Sequence, residues 1–124
     1  MKQEKFKIVN LIKDLIVYID QSILNFPKKE IELKHKIKDT AYNLLLYSYE
    51  ANNRSNVEKK IELQEKCIAY IKYLDFLFNL CYEKQIINGK RYLKYGERLD
   101  MIVRYIGGWV SVTKEEKLKI GEKT

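Results

Sequence analysis

Three basic residues recur in the fourth apolar-periodic segment of the chain at a spacing that could follow a nucleic-acid backbone. Arg91, Lys94 and Arg98 are three and four residues apart, which places a positive charge on successive turns of one helix face. Lys90 flanks this row, and Tyr105 lies beyond it. Guanidinium and ammonium groups at this interval can contact phosphates, and tyrosines among them can stack on unpaired bases. The pattern predicts a nucleic-acid-binding strip; the alternative is an ordinary solvated helix face.

Further basic residues extend this hypothesis to other parts of the chain. Lys34 and Lys38 form a pair four residues apart, and Arg54 lies at a predicted turn. The net charge of +7 and the isoelectric point near 9.3 favour an acidic partner. Nucleic acid is the first expectation and an anionic membrane surface the second. Because acidic residues are interleaved with the basic ones, part of this charge is also consistent with solvated helix surface.

The sequence shows no recognisable catalytic or metal-binding motif. His35 is the one histidine of the chain, and although Glu32 precedes it at Glu-x-x-His spacing, no second such pair follows. A di-metal bundle requires that second pair. Gly107 and Gly108 lack the lysine and the preceding strand of a phosphate-binding loop. We therefore expect a protein that is not an enzyme and that carries no metal or cofactor.

The two cysteines are expected to be buried, reduced residues. Cys67 and Cys81 are fourteen residues apart, a rise of roughly 21 Å along one helix, which is too far for a disulfide. Charges interrupt every apolar run before it reaches the length of a membrane span, and the amino-terminal segment does not resemble a secretory signal. These features predict a cytoplasmic protein that does not enter the membrane.

The periodicity of apolar residues predicts an all-α protein. Lys, Glu, Ile, Leu and Tyr are abundant and there is one proline, which is typical of helix bundles. The predicted helices cover about residues 4–24, 28–51, 56–84 and 90–106. Short turns between long helices favour antiparallel neighbours, and hence an up-down-up-down four-helix bundle. Residues 1–113 form this single domain, and residues 114–124 are predicted to be a charged flexible tail.

Several residues are predicted to set the ends of these helices. Pro27 ends the first helix and can open the second, where a missing N–H costs nothing. Ser55 begins a capping box for the third helix. Gly107 and Gly108 are expected either to stop the fourth helix or to admit another backbone closely, with positive φ or a close helix contact at Gly108. Trp109 follows them as a bulky anchor.

The third helix presents two apolar faces. One face is predicted to enter the core and consists of Leu63, Cys67, Tyr70, Ile71, Leu74, Phe78 and Cys81. The other consists of Ala69, Tyr73, Phe76 and Leu80. A single bundle covers one such face, so the second predicts an interface with another copy of the chain or with a different protein. The alternative is that this second face is partly exposed or is covered by a loop.

Three short segments together resemble the Avd-like four-helix-bundle family. They are Asn25-Phe26-Pro27-Lys28, Glu50-Ala51-Asn52-Asn53 and Ile106-Gly107-Gly108-Trp109, in an order and spacing similar to those of the family. Avd is the accessory variability determinant of diversity-generating retroelements, and the wider group includes proteins encoded by intervening sequences of ribosomal RNA genes. The resemblance extends over about residues 6–111.

The resemblance implies a basic bundle that assembles as a ring-like homopentamer. It implies binding to the retroelement's reverse transcriptase and to RNA or DNA without sequence specificity. The protein would then assist mutagenic complementary-DNA synthesis from a template RNA without being a catalyst. The alternative is an oligomeric protein-interaction scaffold of the ribosomal RNA intervening-sequence group, with no nucleic-acid role. The salt dependence of nucleic-acid binding separates the two hypotheses.

Overall fold

The chain forms four packed helices. The computed structural model describes the backbone of residues 2–23 and 25–123 and the side chains of residues 7–23 and 25–121. The elements are α1 (Lys2–Ser22), a short 3-10 helix (Lys28–Glu30), α2 (Ile31–Asn53), α3 (Val57–Glu83) and α4 (Gly89–Lys123). Helix α1 packs against α2 and α4, and α3 packs against the same two helices. Over the described residues there is no strand, so the all-α prediction is confirmed.

The core lies where the apolar stripes of the four helices meet. Helix α1 contributes isoleucines and Leu15 at helical spacing, and α3 contributes the predicted stripe, in which Leu63 and Tyr70 are half-buried. The largest fully buried side chains are Tyr95, Phe78, Ile8, Ile12, Leu15, Ile19, Ile23, Ile37, Leu44, Ile71, Leu74 and Ile102. Burial of this apolar surface is the main force that stabilises the bundle.

Helix α4 is much longer than the sequence predicts. It does not end at Ile106 but continues through Gly107 and Gly108 to Lys123, so most of the predicted flexible tail is helical; Thr124 lies outside the described residues. Neither glycine has a positive φ, and a Cβ added at either would meet no heavy atom within 4 Å. The prediction of a special backbone or a close contact at Gly108 is therefore wrong. Trp109 and Val110 are buried, and their packing extends the helix beyond the glycine pair.

Apart from the end of α4, the helix ends differ from the predictions by one to three residues. Asn56, not Ser55, caps α3, because its side-chain oxygen accepts a hydrogen bond from the Lys59 N–H at 3.0 Å. Pro27 precedes the 3-10 turn, and its carbonyl accepts from the Glu30 N–H at 2.9 Å. The predicted end of the first helix at Leu24 lies outside the described residues. The turn into α4 has its one positive non-glycine φ, 62°, at Gln85.

Cations lie over aromatic rings at each of the four seams between neighbouring helices. Lys13 lies 5.8 Å from the Tyr49 ring centroid between α1 and α2, and Lys66 lies 4.2 Å from that of Tyr47 between α2 and α3. Lys60 lies 6.0 Å from the Trp109 ring between α3 and α4. The fourth seam, between α1 and α4, is described below. Interactions of this kind stabilise by about 0.5–1 kcal/mol where they are solvent-exposed.

One buried polar cluster connects α3 to the extended part of α4. The Gln64 amide donates to the Thr113 hydroxyl at 3.0 Å, and that hydroxyl donates to the Trp109 carbonyl at 3.0 Å. Gln64 is fully buried, although its side chain is polar. The Gln64 carbonyl oxygen and the Trp109 indole N–H have no hydrogen-bond partner. This cluster fixes the lateral position of α4 beyond its glycine pair.

Candidate nucleic-acid interface

The predicted arginines of α4 meet a tyrosine of α1. The guanidinium carbon of Arg98 lies 4.3 Å from the ring centroid of Tyr18, and that of Arg91 lies 6.0 Å from the same centroid. Both arginines are therefore drawn toward the seam between the two helices. Helical spacing in α4 places them on one side, and the packing of α1 against α4 supplies the ring.

A groove runs along this seam, and we call it the α1–α4 groove. Its first depression is lined by Leu11, Tyr18, Lys94, Glu97, Arg98 and Met101. A second depression is lined by Lys7, Met101, Arg104, Tyr105 and Gly108. The depressions share Met101, and Lys7 lies 5.0 Å from the centroid of the Tyr105 ring. Four cationic side chains and one carboxylate thus line the groove.

Buried Tyr95 provides the support beneath the first depression. Its ring stacks on Phe78 with centroids 3.8 Å apart and meets Tyr18 edge-on at 5.2 Å. Its hydroxyl is hydrogen-bonded to that of Ser22. Burial raises the pKa of Tyr95 above its ordinary value, because desolvation disfavours the phenolate. A neutral, packed phenol therefore fixes the ring on which the arginines lie.

The cations of the groove are not neutralised by the ion pairs of the described region. Those pairs join Lys38 to Asp20, Lys84 to Glu30, Lys114 to Glu65 and Lys117 to Glu58. Lys90, Lys94 and Arg98 are exposed, and Arg91 is half-buried. Positive charge is consequently available to a ligand along α4.

The other predicted basic residues do not join this groove. Lys38 is 3.7 Å from Asp20 between α1 and α2. Lys34 is a half-buried residue of α2, and Arg54 is exposed just after the end of that helix. Helix α1 packs against both α2 and α4, and none of these three side chains lines the groove. The structure therefore brings Arg91, Lys94 and Arg98 to the seam of the groove, while Lys90 lines neither depression.

Three groove residues were missed by sequence reasoning. Lys7, Tyr18 and Arg104 carry no recognisable motif, and two of them belong to a helix that is distant in sequence from the arginines. Lys7, Leu11 and Tyr18 do share one side of α1, being four and seven residues apart. That stripe was the available signal, but its partner becomes evident only when the helices are packed.

The predicted outer face of α3 is largely exposed. Phe76 is 56% exposed and Tyr73 is 40% exposed, with their rings stacked at a centroid distance of 6.4 Å. Ala69 is exposed and Leu80 is half-buried. Lys36 lies 5.9 Å from the Tyr73 ring centroid. Within the described chain, no loop covers this face.

Other potential site residues show no arrangement that indicates catalysis. His35 is exposed, and the described residues contain no group of three or more His, Cys, Asp or Glu side chains that could hold a metal ion. Burial raises the pKa of the Cys67 thiol to about 12 and that of Cys81 to about 11. Over the same residues, no helix is long and apolar enough to cross a membrane. No family model, curated protein or solved structure matches the chain.

Proposed function

We propose that this protein is a non-catalytic nucleic-acid-binding accessory subunit. The α1–α4 groove carries the proposal, because it gathers exposed cations along one rigid seam. In the role implied by the resemblance to Avd-like proteins, the protein assists a retroelement reverse transcriptase in mutagenic complementary-DNA synthesis from a template RNA. It acts in the cytoplasm, and neither metal nor cofactor takes part.

An antiparallel up-down-up-down arrangement is part of the proposal. Contacts between helices join the late part of one helix to the early part of the next. Asp20 pairs with Lys38 across α1 and α2, and Asn79 donates to the Tyr92 hydroxyl across α3 and α4. At the opposite end of the α3–α4 pair, Lys117 lies 3.5 Å from Glu58. These pairings support antiparallel neighbours.

Self-association is the second part of the proposal. The stacked pair Tyr73 and Phe76 forms an apolar surface that is largely exposed in the described chain, and water contact with such a surface is unfavourable. Association through this face repeats the groove around an assembly. The family resemblance implies five copies.

Nucleic-acid binding is tested by measuring affinity for RNA and DNA over a salt series. Each neutralised phosphate releases counterions, so the logarithm of the binding constant falls linearly with the logarithm of salt concentration. A triple substitution of Arg91, Lys94 and Arg98 by Gln should reduce that slope by about 0.7 to 0.9 for each phosphate that is no longer neutralised. Helicity should be retained, since Gln has a helix propensity similar to that of Arg and Lys.

A matched control removes the same net charge elsewhere. Lys84, Lys114 and Lys117 each lie within 4.0 Å of a carboxylate, and none lines the groove. Their triple substitution by Gln should leave the salt slope nearly unchanged. Equal losses of affinity in the two triple variants would contradict a defined interface and indicate attraction by net charge alone.

A protein-interaction scaffold is the second candidate function. The observation that favours it is the exposed aromatic pair on α3, which does not require nucleic acid. If the wild-type protein associates through this face but binds neither RNA nor DNA at low salt, the scaffold function replaces the first proposal.

A further inference from the structure

We infer that the α1–α4 groove binds double-helical nucleic acid through its phosphates and does not bind single strands by base stacking. This inference rests on the proposed function and specifies its ligand. A site for single strands needs open aromatic faces as well as positive charge. The groups in the groove that remain available to a ligand therefore decide which form of nucleic acid it binds.

The two tyrosine rings that line the groove already carry the protein's own cations. Arg98 lies over Tyr18 at 4.3 Å from its centroid, and Tyr95 meets the same ring edge-on. Lys7 lies over Tyr105 at 5.0 Å and lines the same depression. A base could stack on either covered face only after displacing a cation from it.

The remaining tyrosines of α4 are also engaged. Tyr92 stacks on Tyr82 with centroids 5.2 Å apart, and its hydroxyl accepts a hydrogen bond from Asn79 at 3.0 Å. Tyr95 is fully buried against Phe78. The tyrosine-rich character of α4 therefore reflects packing, and the expectation that these rings stack on bases does not fit the structure.

Stacking leaves the arginines able to bind phosphate. A guanidinium that lies over a ring directs its N–H donors outward in its own plane, where they can meet phosphate oxygens. Tyr18 therefore holds Arg98 in place while its donors stay available. The ring is a positioning element for the cation and is not a platform for a base.

Charge density favours a duplex for such a surface. A DNA duplex carries one negative charge per about 1.7 Å of its axis, whereas each strand supplies one per about 3.4 Å. From Arg91 to Arg104 the helix rises roughly 20 Å, which matches about six base pairs of a rigid duplex. A flexible single strand would have to be ordered along the same row without gaining stacking energy.

The test compares a duplex of about 20 base pairs with its separate strands, and with homopolymers of thymidine and of adenosine of the same length. At 0.1 M salt the duplex should bind about tenfold more tightly than either strand. This factor is similar to the affinity that one base–aromatic stack contributes, which a single strand does not gain in this groove. With the four groove cations and Arg91 bound to phosphates, the salt slopes should be about −4.5 for the duplex and about −3.5 for a strand. The two homopolymers should bind within about twofold of each other, since every base is left unstacked.

Two variants separate positioning from stacking. Tyr105→Leu should weaken single-strand and duplex binding by a similar factor, because it releases Lys7 from its position in the groove and removes no base stack. Tyr18→Leu should weaken duplex binding and reduce its salt slope, since the ring no longer holds Arg98 in place. Circular dichroism of both variants checks that the helices are intact.

The outcomes distinguish this inference from the proposed function. Tighter binding of single strands, a preference among bases, or a loss of affinity in Tyr105→Leu that is confined to single strands would overturn the duplex inference while leaving nucleic-acid binding established. Absence of binding to every probe at low salt would overturn both.

Discussion

Replacing the glycines in the middle of α4 by alanine should stabilise the protein. Gly107 and Gly108 lie inside a helix that runs to Lys123, and neither has a positive φ. A methyl group at either position meets no heavy atom within 4 Å. Alanine therefore gains helix propensity without steric cost. Each substitution should raise the free energy of unfolding by about 0.8–1 kcal/mol, and the double substitution by roughly twice as much.

Thermal and denaturant unfolding, followed by circular dichroism, measure this gain. For a chain of this size, 1 kcal/mol corresponds to an increase in Tm of about 4 °C. Gly96→Ala is the matched control, because Gly96 is also an interior position of α4 with no heavy atom near its added Cβ. All three single variants should be stabilised similarly.

Destabilisation by alanine at the glycine pair alone would indicate a contact at that point of α4. If Gly96→Ala is stabilising while Gly107→Ala or Gly108→Ala is destabilising, the glycine pair must be in contact with something outside the described chain. Destabilisation in all three variants would refute the reasoning, since it would mean that α4 does not have the helical geometry described.

The burial or exposure of individual side chains determines the effect of further substitutions. Leu74→Glu should unfold the chain because a charge replaces a fully buried side chain. Phe76→Glu, by contrast, should preserve helicity as measured by circular dichroism and should lower the mass of the self-associated protein as measured by light scattering. Thr113→Val should cost about 1–3 kcal/mol in denaturant unfolding because the buried Gln64 amide loses its acceptor, whereas Gln64→Leu should be nearly neutral. The pKa of the Cys67 thiol is raised from 9.0 to about 12, so the free energy of unfolding should fall as pH rises across that interval. A Cys67→Ala variant should lose less stability over the same interval. An equal loss in both proteins would contradict the role of this thiol.

The core of the bundle could be predicted because burial follows helical periodicity. In α3 the expected stripe contains Cys67, Ile71 and Leu74, all of which are buried. Gln64 and Leu77 were not included in that stripe but are buried as well. Periodicity alone cannot indicate that a glutamine is buried, because its burial depends on the Thr113 hydroxyl supplied by another helix.

The sequence does not predict the end of α4, because packing outweighs the local signals at the glycine pair. A glycine pair disfavours helix by about 2 kcal/mol relative to alanine. Beyond it, however, Trp109 and Val110 are buried in the core, and Thr113 is hydrogen-bonded to Gln64. These interactions exceed the local cost, and they could not be inferred before the position of α3 was known.

The candidate interface was accessible from the sequence only in part. The row of Arg91, Lys94 and Arg98 follows from spacing within one helix, but its relation to Tyr18 depends on how α1 crosses α4. The separation of Lys38 from the groove depends on the same packing, because Asp20 of α1 lies beside it.

The way cations are held at the α1–α4 seam determines what a bound phosphate must displace there. Ion pairs connect α1 to α2 and α3 to α4, and a phosphate that binds such a lysine competes with a carboxylate for its N–H donors. At the α1–α4 seam, the described cation interactions are those of the arginines with Tyr18 and of Lys7 with Tyr105. An aromatic ring attracts a cation through its quadrupole and does not neutralise its charge. A phosphate in the groove would therefore have no ion pair to break, and the two walls of the groove stay joined while it binds.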